Sequence, residues 1–216
     1  PQYTRSATLV AWNLDTNVRR VVSGLYPDPK LGLEAYGSGY MSPKPVGSGT
    51  TDFQPLTGGH ALRSGPDGML YSYGGGLGEG VSRLREIVRI DPTTGERTLV
   101  WLSQVAETGD VSATYGQCLR QSATGSLVES VAYNGQAFEV GPDGTFYLSF
   151  RGTEEGDGVV AISADGTTCT PLSRWGGLGP EGGQPPTQIG NGLILQFPVH
   201  GMLFHDGKLY GVSNDD

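Results

Sequence analysis

Gly65-Pro66-Asp67-Gly68-Met69-Leu70-Tyr71 decides the fold, because the chain repeats it as Gly141-Pro142-Asp143-Gly144-Thr145-Phe146-Tyr147 and, shortened, as His205-Asp206-Gly207-Lys208-Leu209-Tyr210. In each copy an Asp-Gly pair joins an apolar stretch to an alternating one. This pattern predicts a β-hairpin, since Gly supplies the positive φ of a tight, right-twisting turn. A second phrase follows at a fixed remove. Residues 87–100, reading Ile-Val-Arg-Ile-Asp-Pro-Thr-Thr-Gly-Glu-Arg-Thr-Leu-Val, are echoed by residues 159–168 and foreshadowed by residues 9–22. Hairpin after hairpin predicts an all-β chain, a β-propeller of four-stranded antiparallel blades.

Composition agrees with many short strands. Glycine (36) and proline (14) are abundant, and no window sustains a helical period. No apolar run approaches the ~18 residues of a membrane helix, so no membrane span is expected. The net charge is −8 and the only lysines are Lys30, Lys44 and Lys208. That balance argues against a phosphate-binding surface and against nucleic acid as a partner. Cys118 and Cys169 either close a disulfide around a loop of about 50 residues, stabilising by roughly 4 kcal/mol on the chain-entropy model, or stay as buried thiols. With the Lys-poor, Gly/Thr/Ser-rich surface, the disulfide points to an exported chain, secreted, periplasmic or at the cell surface. A start at Pro1-Gln2-Tyr3 without Met reads as a mature or incomplete chain.

The turn spacing places one blade at residues 58–101 and another at 131–175, with half blades at 8–22 and 198–216. A blade needs about 40–50 residues, so the excess lies in insertions at 24–57, 102–130 and 176–197. The chain opens on the second hairpin of a blade and stops after the first hairpin of another. It is therefore expected to be a portion of a larger propeller, with the remainder supplied elsewhere.

The phrases Gly-Pro-Asp-Gly-x-Leu-Tyr, Ile-x-Arg-Ile-Asp-Pro-x-Thr-Gly and Pro198-Val199-His200-Gly201-Met202-Leu203-Phe204-x-Asp206-Gly207-Lys208-Leu209-Tyr210 resemble the six-bladed propeller superfamily. That grouping holds soluble quinoprotein sugar dehydrogenases, calcium-dependent gluconolactonases and NHL-repeat proteins. The resemblance covers the repeat cores and implies six blades when the propeller is complete. It does not transfer the dehydrogenase activity. That family's general-base His lies about nine residues before the Pro of such a turn, and here the slot holds Thr57 while His60 comes three residues later.

Aligning the turns places His60 and Gln136 at one position, the start of each innermost strand, and His200 joins them if the third copy lost one residue before His205. Imidazole and amide groups converging there would hold a polar ligand, a water cluster or a metal; the plainer alternative is that they cap the strand. Asn214, Asp215 and Asp216 close the chain, and the gluconolactonase-like propellers imply calcium at such a blade top. The acidic run Glu154-Glu155-Gly156-Asp157-Gly158 reads as a solvated turn. Gly74–Gly80 is glycine-rich, but a strand follows instead of a helix, which leaves no phosphate site. Trp101 and Trp175 end successive blades at equivalent places and read as inter-blade packing. Tyr26, Tyr36, Tyr40 and Phe53 in the first insertion form an aromatic, charge-poor surface suited to a partner.

No complete catalytic set emerges. The leading expectation is a non-catalytic exported propeller whose inserted loops bind a partner protein, the remaining propeller half or a saccharide. The alternative is a sugar dehydrogenase or lactonase-type hydrolase with His60, His200 and Asn214 lining the site. Its cofactor would be calcium ahead of pyrroloquinoline quinone (PQQ).

Overall fold

A computed structural model describes residues 8–28, 32–39, 42–43, 53–54, 59–74, 84–104, 119–121, 127–129, 137–152, 156–175 and 199–213. These are strands and turns, with no helix among them. The strands are β1 (Thr8–Asn13), β2 (Val18–Asp28), β3 (Gly32–Tyr36), β4 (Ser42–Pro43), β5 (Phe53–Gln54), β6 (Gly59–Ser64), β7 (Leu70–Gly74), β8 (Leu84–Ile90) and β9 (Arg97–Gln104). They continue with β10 (Leu119–Gln121), β11 (Leu127–Glu129), β12 (Phe138–Val140), β13 (Phe146–Gly152), β14 (Gly156–Ile162), β15 (Cys169–Trp175), β16 (Val199–His205) and β17 (Lys208–Ser213).

Among the described residues every pairing between strands is antiparallel, and one isolated bridge, Gly39 to Arg97, is parallel. Sheet I is β1-β2-β3, sheet II is β6-β7-β8-β9, sheet III is β12-β13-β14-β15 and sheet IV is β16-β17; β4-β5 and β10-β11 are separate two-stranded pairs. Sheets II and III are thus plain meanders, as two hairpins in series dictate. Sheet I differs from the expected hairpin. β2 bends at Gly24, continues to Asp28 and pairs with β3, so the first part of the 24–57 insertion is a third strand.

The turns are made by local chemistry. In β6–β7 the Gly65 N–H donates to the Met69 carbonyl at 2.8 Å, and the Asp67 carboxylate accepts from the Met69 N–H at 3.1 Å. β12–β13 repeats this with Gly141, Thr145 and Asp143. The shortened third copy is a two-residue turn in which Asp206 and Gly207 both have positive φ, the arrangement that matches strand twist.

The sheets stack in chain order. Leu9 of sheet I and Leu70 pack on Val88 and Ile90 of sheet II. The main core lies between sheets II and III, where Tyr71, Tyr73, Ile87 and Trp101 meet Phe138, Phe146, Val160 and Ile162. Its rings interlock, with Tyr71 and Phe146 centroids 5.1 Å apart and Tyr73 and Phe138 5.6 Å apart. Ala137 and Val159 of sheet III pack on Val199 and Met202 of sheet IV. Fully burying each such side chain contributes about 1.5–3 kcal/mol.

One device recurs on the outer strands. β2, β9 and β15 each carry a bulge, leaving Val22, Val100 and Leu172 without a cross-strand partner. Gly95, in the β8–β9 turn, lies so close to the Val22 carbonyl that a Cβ would stand 2.0 Å from its oxygen. Gly166, in the β14–β15 turn, faces the Val100 carbonyl in the same way at 2.1 Å. Both have positive φ, so only glycine meets both demands without strain.

The bulges also correct one expectation. Trp101 is fully buried and pairs with Ile87, whereas Ser173 pairs with the corresponding Val159. Trp101 therefore corresponds to Ser173. Trp175 sits two residues further along, opposite Asp157, so the two tryptophans are not equivalent.

Gly166→Ala should destabilise the protein by roughly 2–4 kcal/mol, because overpacking and a positive φ act together. Gly68→Ala shares the positive φ but opens onto empty space, and should cost only about 1 kcal/mol. Urea unfolding of the two variants beside the parent chain measures the difference.

Candidate functional site

The two ends of the sheet stack are unlike each other. Residues 65–69, 91–96, 141–145, 163–168 and 206–207 form tight turns at one end. In sheets II and III the first and third strands start, and the second and fourth strands end, at the opposite end. Sheet I, with three strands, leaves at the turn end instead, where Gly39 bridges Arg97 beside the β8–β9 turn. The inner strands β6, β12 and β16 all start at the end away from the tight turns. β12 lies beside both β6 and β16.

That is where the histidines fall. The β6–β7 ladder shifts register between Gly59 and Ala61, leaving His60 as the bulged residue. The β16–β17 ladder shifts between Val199 and Gly201, leaving His200 in the same role. Ala61 pairs with Tyr73, and Gly201 with Val212, which the Asp-Gly turns make equivalent. His60 and His200 thus occupy matching positions at the starts of two inner strands. His200 is half-buried. Gln136 lies outside the described residues, one residue before Ala137, whose carbonyl accepts from the Ser149 N–H at 3.0 Å.

Polar groups pin the inner strands around these positions. The Ala137 N–H donates to Ser149 Oγ at 2.9 Å, and Ser149 Oγ donates to the Val199 carbonyl at 2.7 Å. This buried hydroxyl ties sheet III to the residue before His200. Arg63 Nε donates to Glu139 Oε2 at 2.9 Å, joining corresponding positions of β6 and β12. Glu139 is 9% exposed, so the pair is more than a rim contact, and its third counterpart on β16 is Leu203. Sequence reasoning passed over Arg63, Glu139 and Ser149. Their shared signal is position: each follows or precedes a repeated turn by a constant number of residues.

At the outer edge, Arg97 is buried, and desolvation pulls its guanidinium below the usual arginine range. Its Nη1 donates to Ser23 Oγ at 2.5 Å and to the Tyr36 carbonyl at 2.9 Å. Tyr36 is therefore part of the sheet I–sheet II junction, with a half-buried side chain. Tyr26 sits on β2 opposite Glu34, and Phe53 on β5 opposite Pro43. Tyr40 lies outside the described residues, as do Asn214, Asp215, Asp216 and Cys118. Among the described residues no group of three or more His, Cys, Asp or Glu is assembled to hold a metal, and there is no free cysteine. Cys169 opens β15 and packs against the main core.

The turn end carries the perturbed carboxylates. Burial opposes ionisation of Asp67, but the Met69 N–H, Arg89 and the Tyr71 hydroxyl outweigh it and hold the carboxyl below its usual range. Ser163 first, then the Thr167 N–H and hydroxyl, bring Asp165 down to about 2. The Thr93 N–H lowers Asp91, and the Thr145 N–H lowers Asp143. These groups shape turns and are not aimed at a ligand.

Compared with protein-family models, with curated proteins and with solved structures, the chain matches none. No helix among the described residues is long and apolar enough to cross a membrane.

All four turn carboxylates have depressed folded-state values, so each stabilises the fold above its unfolded value of 3.8 and loses that contribution as pH falls towards the folded value. The melting temperature should hold from neutrality down to about pH 5 and fall between about pH 4 and 2. Asp165→Asn should flatten part of that fall in a pH series of thermal melts.

Proposed function

We propose that the chain is part of an exported β-propeller that works as a binding module, taking a saccharide or a partner protein at the loop end of its sheets. One observation carries this reading. His60 and His200 stand in matching bulges at the starts of inner strands, and the insertions 24–57, 102–130 and 176–197 each precede an inner strand in the sequence. Histidine at two matching positions, with Gln136 in the third matching sequence position, suits a ligand rich in hydroxyl groups, which imidazole and amide both donate to and accept from. Long loops around it would supply the area that recognition needs. The aromatic residues Tyr26, Tyr40 and Phe53 belong to the first of these insertions.

The resemblance to the six-bladed superfamily supports the propeller part of the proposal, as do sequential sheets with inner strands side by side. A second reading is an enzyme of the sugar dehydrogenase or lactonase kind, using calcium or PQQ, and the histidines at the inner-strand starts are what favour it. Thr57 in the general-base slot weighs against the dehydrogenase form. A bond between Cys118 and Cys169 fits an exported module and would anchor the second insertion to β15.

Screening the protein against an oligosaccharide panel should return ligands whose binding falls at least about tenfold in both His60→Ala and His200→Ala, with melting temperatures unchanged. Turnover of a simple sugar or lactone by the protein reconstituted with calcium and PQQ would replace the binding module with the enzyme. Alkylation of the denatured, unreduced chain should add no label, while reduction first should add two.

A further inference from the structure

An aspartate followed by glycine carries a reaction of its own. The glycine amide nitrogen attacks the carboxyl carbon of the preceding side chain and closes a succinimide ring, an approach that a residue without Cβ leaves open. The chain has this step at Asp67, Asp143, Asp157, Asp165 and Asp206. Reaction needs a carboxyl group free to turn and an amide nitrogen free to meet it.

Three of the turns hold both groups. At Asp67 the carboxylate accepts from the Met69 N–H at 3.1 Å and from the Tyr71 hydroxyl and Arg89 Nε at 3.0 Å each, while the Gly68 N–H donates to the Gly65 carbonyl at 3.1 Å. Asp143 accepts from the Thr145 N–H at 3.0 Å and its hydroxyl at 2.9 Å, and the Gly144 N–H donates to the Gly141 carbonyl at 3.0 Å. Asp165 accepts from the Ser163 hydroxyl, the Thr167 N–H and the Thr167 hydroxyl, and the Gly166 N–H donates to the Ser163 carbonyl at 2.8 Å. Asp157 and Gly158 are held differently, in mid-strand, opposite Arg151 and Phe150 on one side and Trp175 and Arg174 on the other.

The β16–β17 turn does neither. Two residues link the strands there, with His205 opposite Lys208, so no backbone carbonyl is placed to receive the Gly207 N–H and none does among the described residues. The Asp206 side chain is 85% exposed, against 37% for Asp67. Its partner among the described residues is His205, at 3.3 Å and itself exposed, a surface pair that holds geometry weakly. A Cβ on Gly207 would meet nothing within 4 Å, whereas one on Gly166 would strike the Val100 carbonyl oxygen at 2.1 Å. The turn therefore has room to rotate as well as both reacting groups at liberty.

We propose that Asp206-Gly207 is a covalent modification site, where the folded chain converts aspartate to isoaspartate by itself. The Gly207 nitrogen forms a bond to Asp206 Cγ, and the amide proton leaves with the carboxyl hydroxyl as water. Water then adds back to the ring. Breaking the bond from nitrogen to Cγ restores aspartate; breaking the bond from nitrogen to the backbone carbonyl carbon leaves the chain running through Cγ, with that carbonyl as a free carboxylate. The product has the mass of the parent and one more carbon in its main chain. A two-residue turn with positive φ at both positions matches strand twist only at its own length, so conversion also loosens the hairpin whose first strand carries His200. The site stands at the turn end of the fold and does not depend on what the loop end binds.

The native chain, aged for weeks in mildly acidic buffer, is digested and its peptides fragmented by electron transfer, which tells isoaspartate from aspartate. Isoaspartate should accumulate at residue 206 at least about tenfold faster than at 67, 143, 157 or 165. The same chain aged in guanidinium should convert at all of them within a few-fold of one another, because the differences lie in the fold. Asn134-Gly135 and Asn191-Gly192 lie outside the described residues; they form the same ring but gain mass, since an amide becomes an acid, so an unchanged mass isolates the aspartates. Gly207→Ala, which puts a methyl beside the attacking nitrogen, should cut the yield at residue 206 at least about tenfold with β-sheet circular dichroism retained. Equal native rates at residue 206 and a second Asp-Gly step overturn the proposal. So does a residue 206 that converts in guanidinium and not in the native chain, or a yield that Gly207→Ala leaves unchanged.

Discussion

The spacing of the sheets depends on a contact between two backbones. A bulge pushes the carbonyl of Val22 or Val100 out of its ladder, and the α-carbon of Gly95 or Gly166 rests against it, closer than any side chain would allow. With backbones held this near at the outer turn, the large side chains fill the space further in. Trp101, Phe138 and Phe146 are fully buried as a result. Ser23 Oγ, bonded to the Gly95 carbonyl, fixes the same corner from the side. Packing at interior density leaves little latitude, so the contact acts on the whole junction and not on one turn.

From that constraint the division of labour between the two ends follows. Tight turns with internally satisfied carboxylates need no partner and close one end of the stack. The inner strands all start at the other end, because each runs from there into its Asp-Gly turn. Rigid strand starts below variable loops are a common way of placing recognition groups. His60 and His200 gain their common position from the same register that builds the sheets, and the Ser149 hydroxyl holds the neighbouring strands together without charge.

Among the described residues, Val10 and Trp12 of sheet I and Tyr210 and Val212 of sheet IV are exposed, unlike the residues of the inner junctions. Arg19 lies 4.3 Å over the Trp12 ring and shields part of that area, a solvated cover over a face built for packing.

The amino-acid sequence determined what is local. Asp-Gly turns, alternating strands and their order could be read directly, because a turn needs particular φ values and a strand a period of two. The equivalence of His60 and His200 was legible for the same reason, as both are counted from a repeated turn. What only the tertiary structure decided is non-local. The bulges at Val22, Val100 and Leu172 moved Trp175 out of line with Trp101, and β3 claimed residues that read as an insertion. Why Gly95 and Gly166 must be glycine emerged only when a carbonyl from another sheet appeared beside them. Register and close approach are set by partners many residues away, and a sequence records the residues but not which of them will touch.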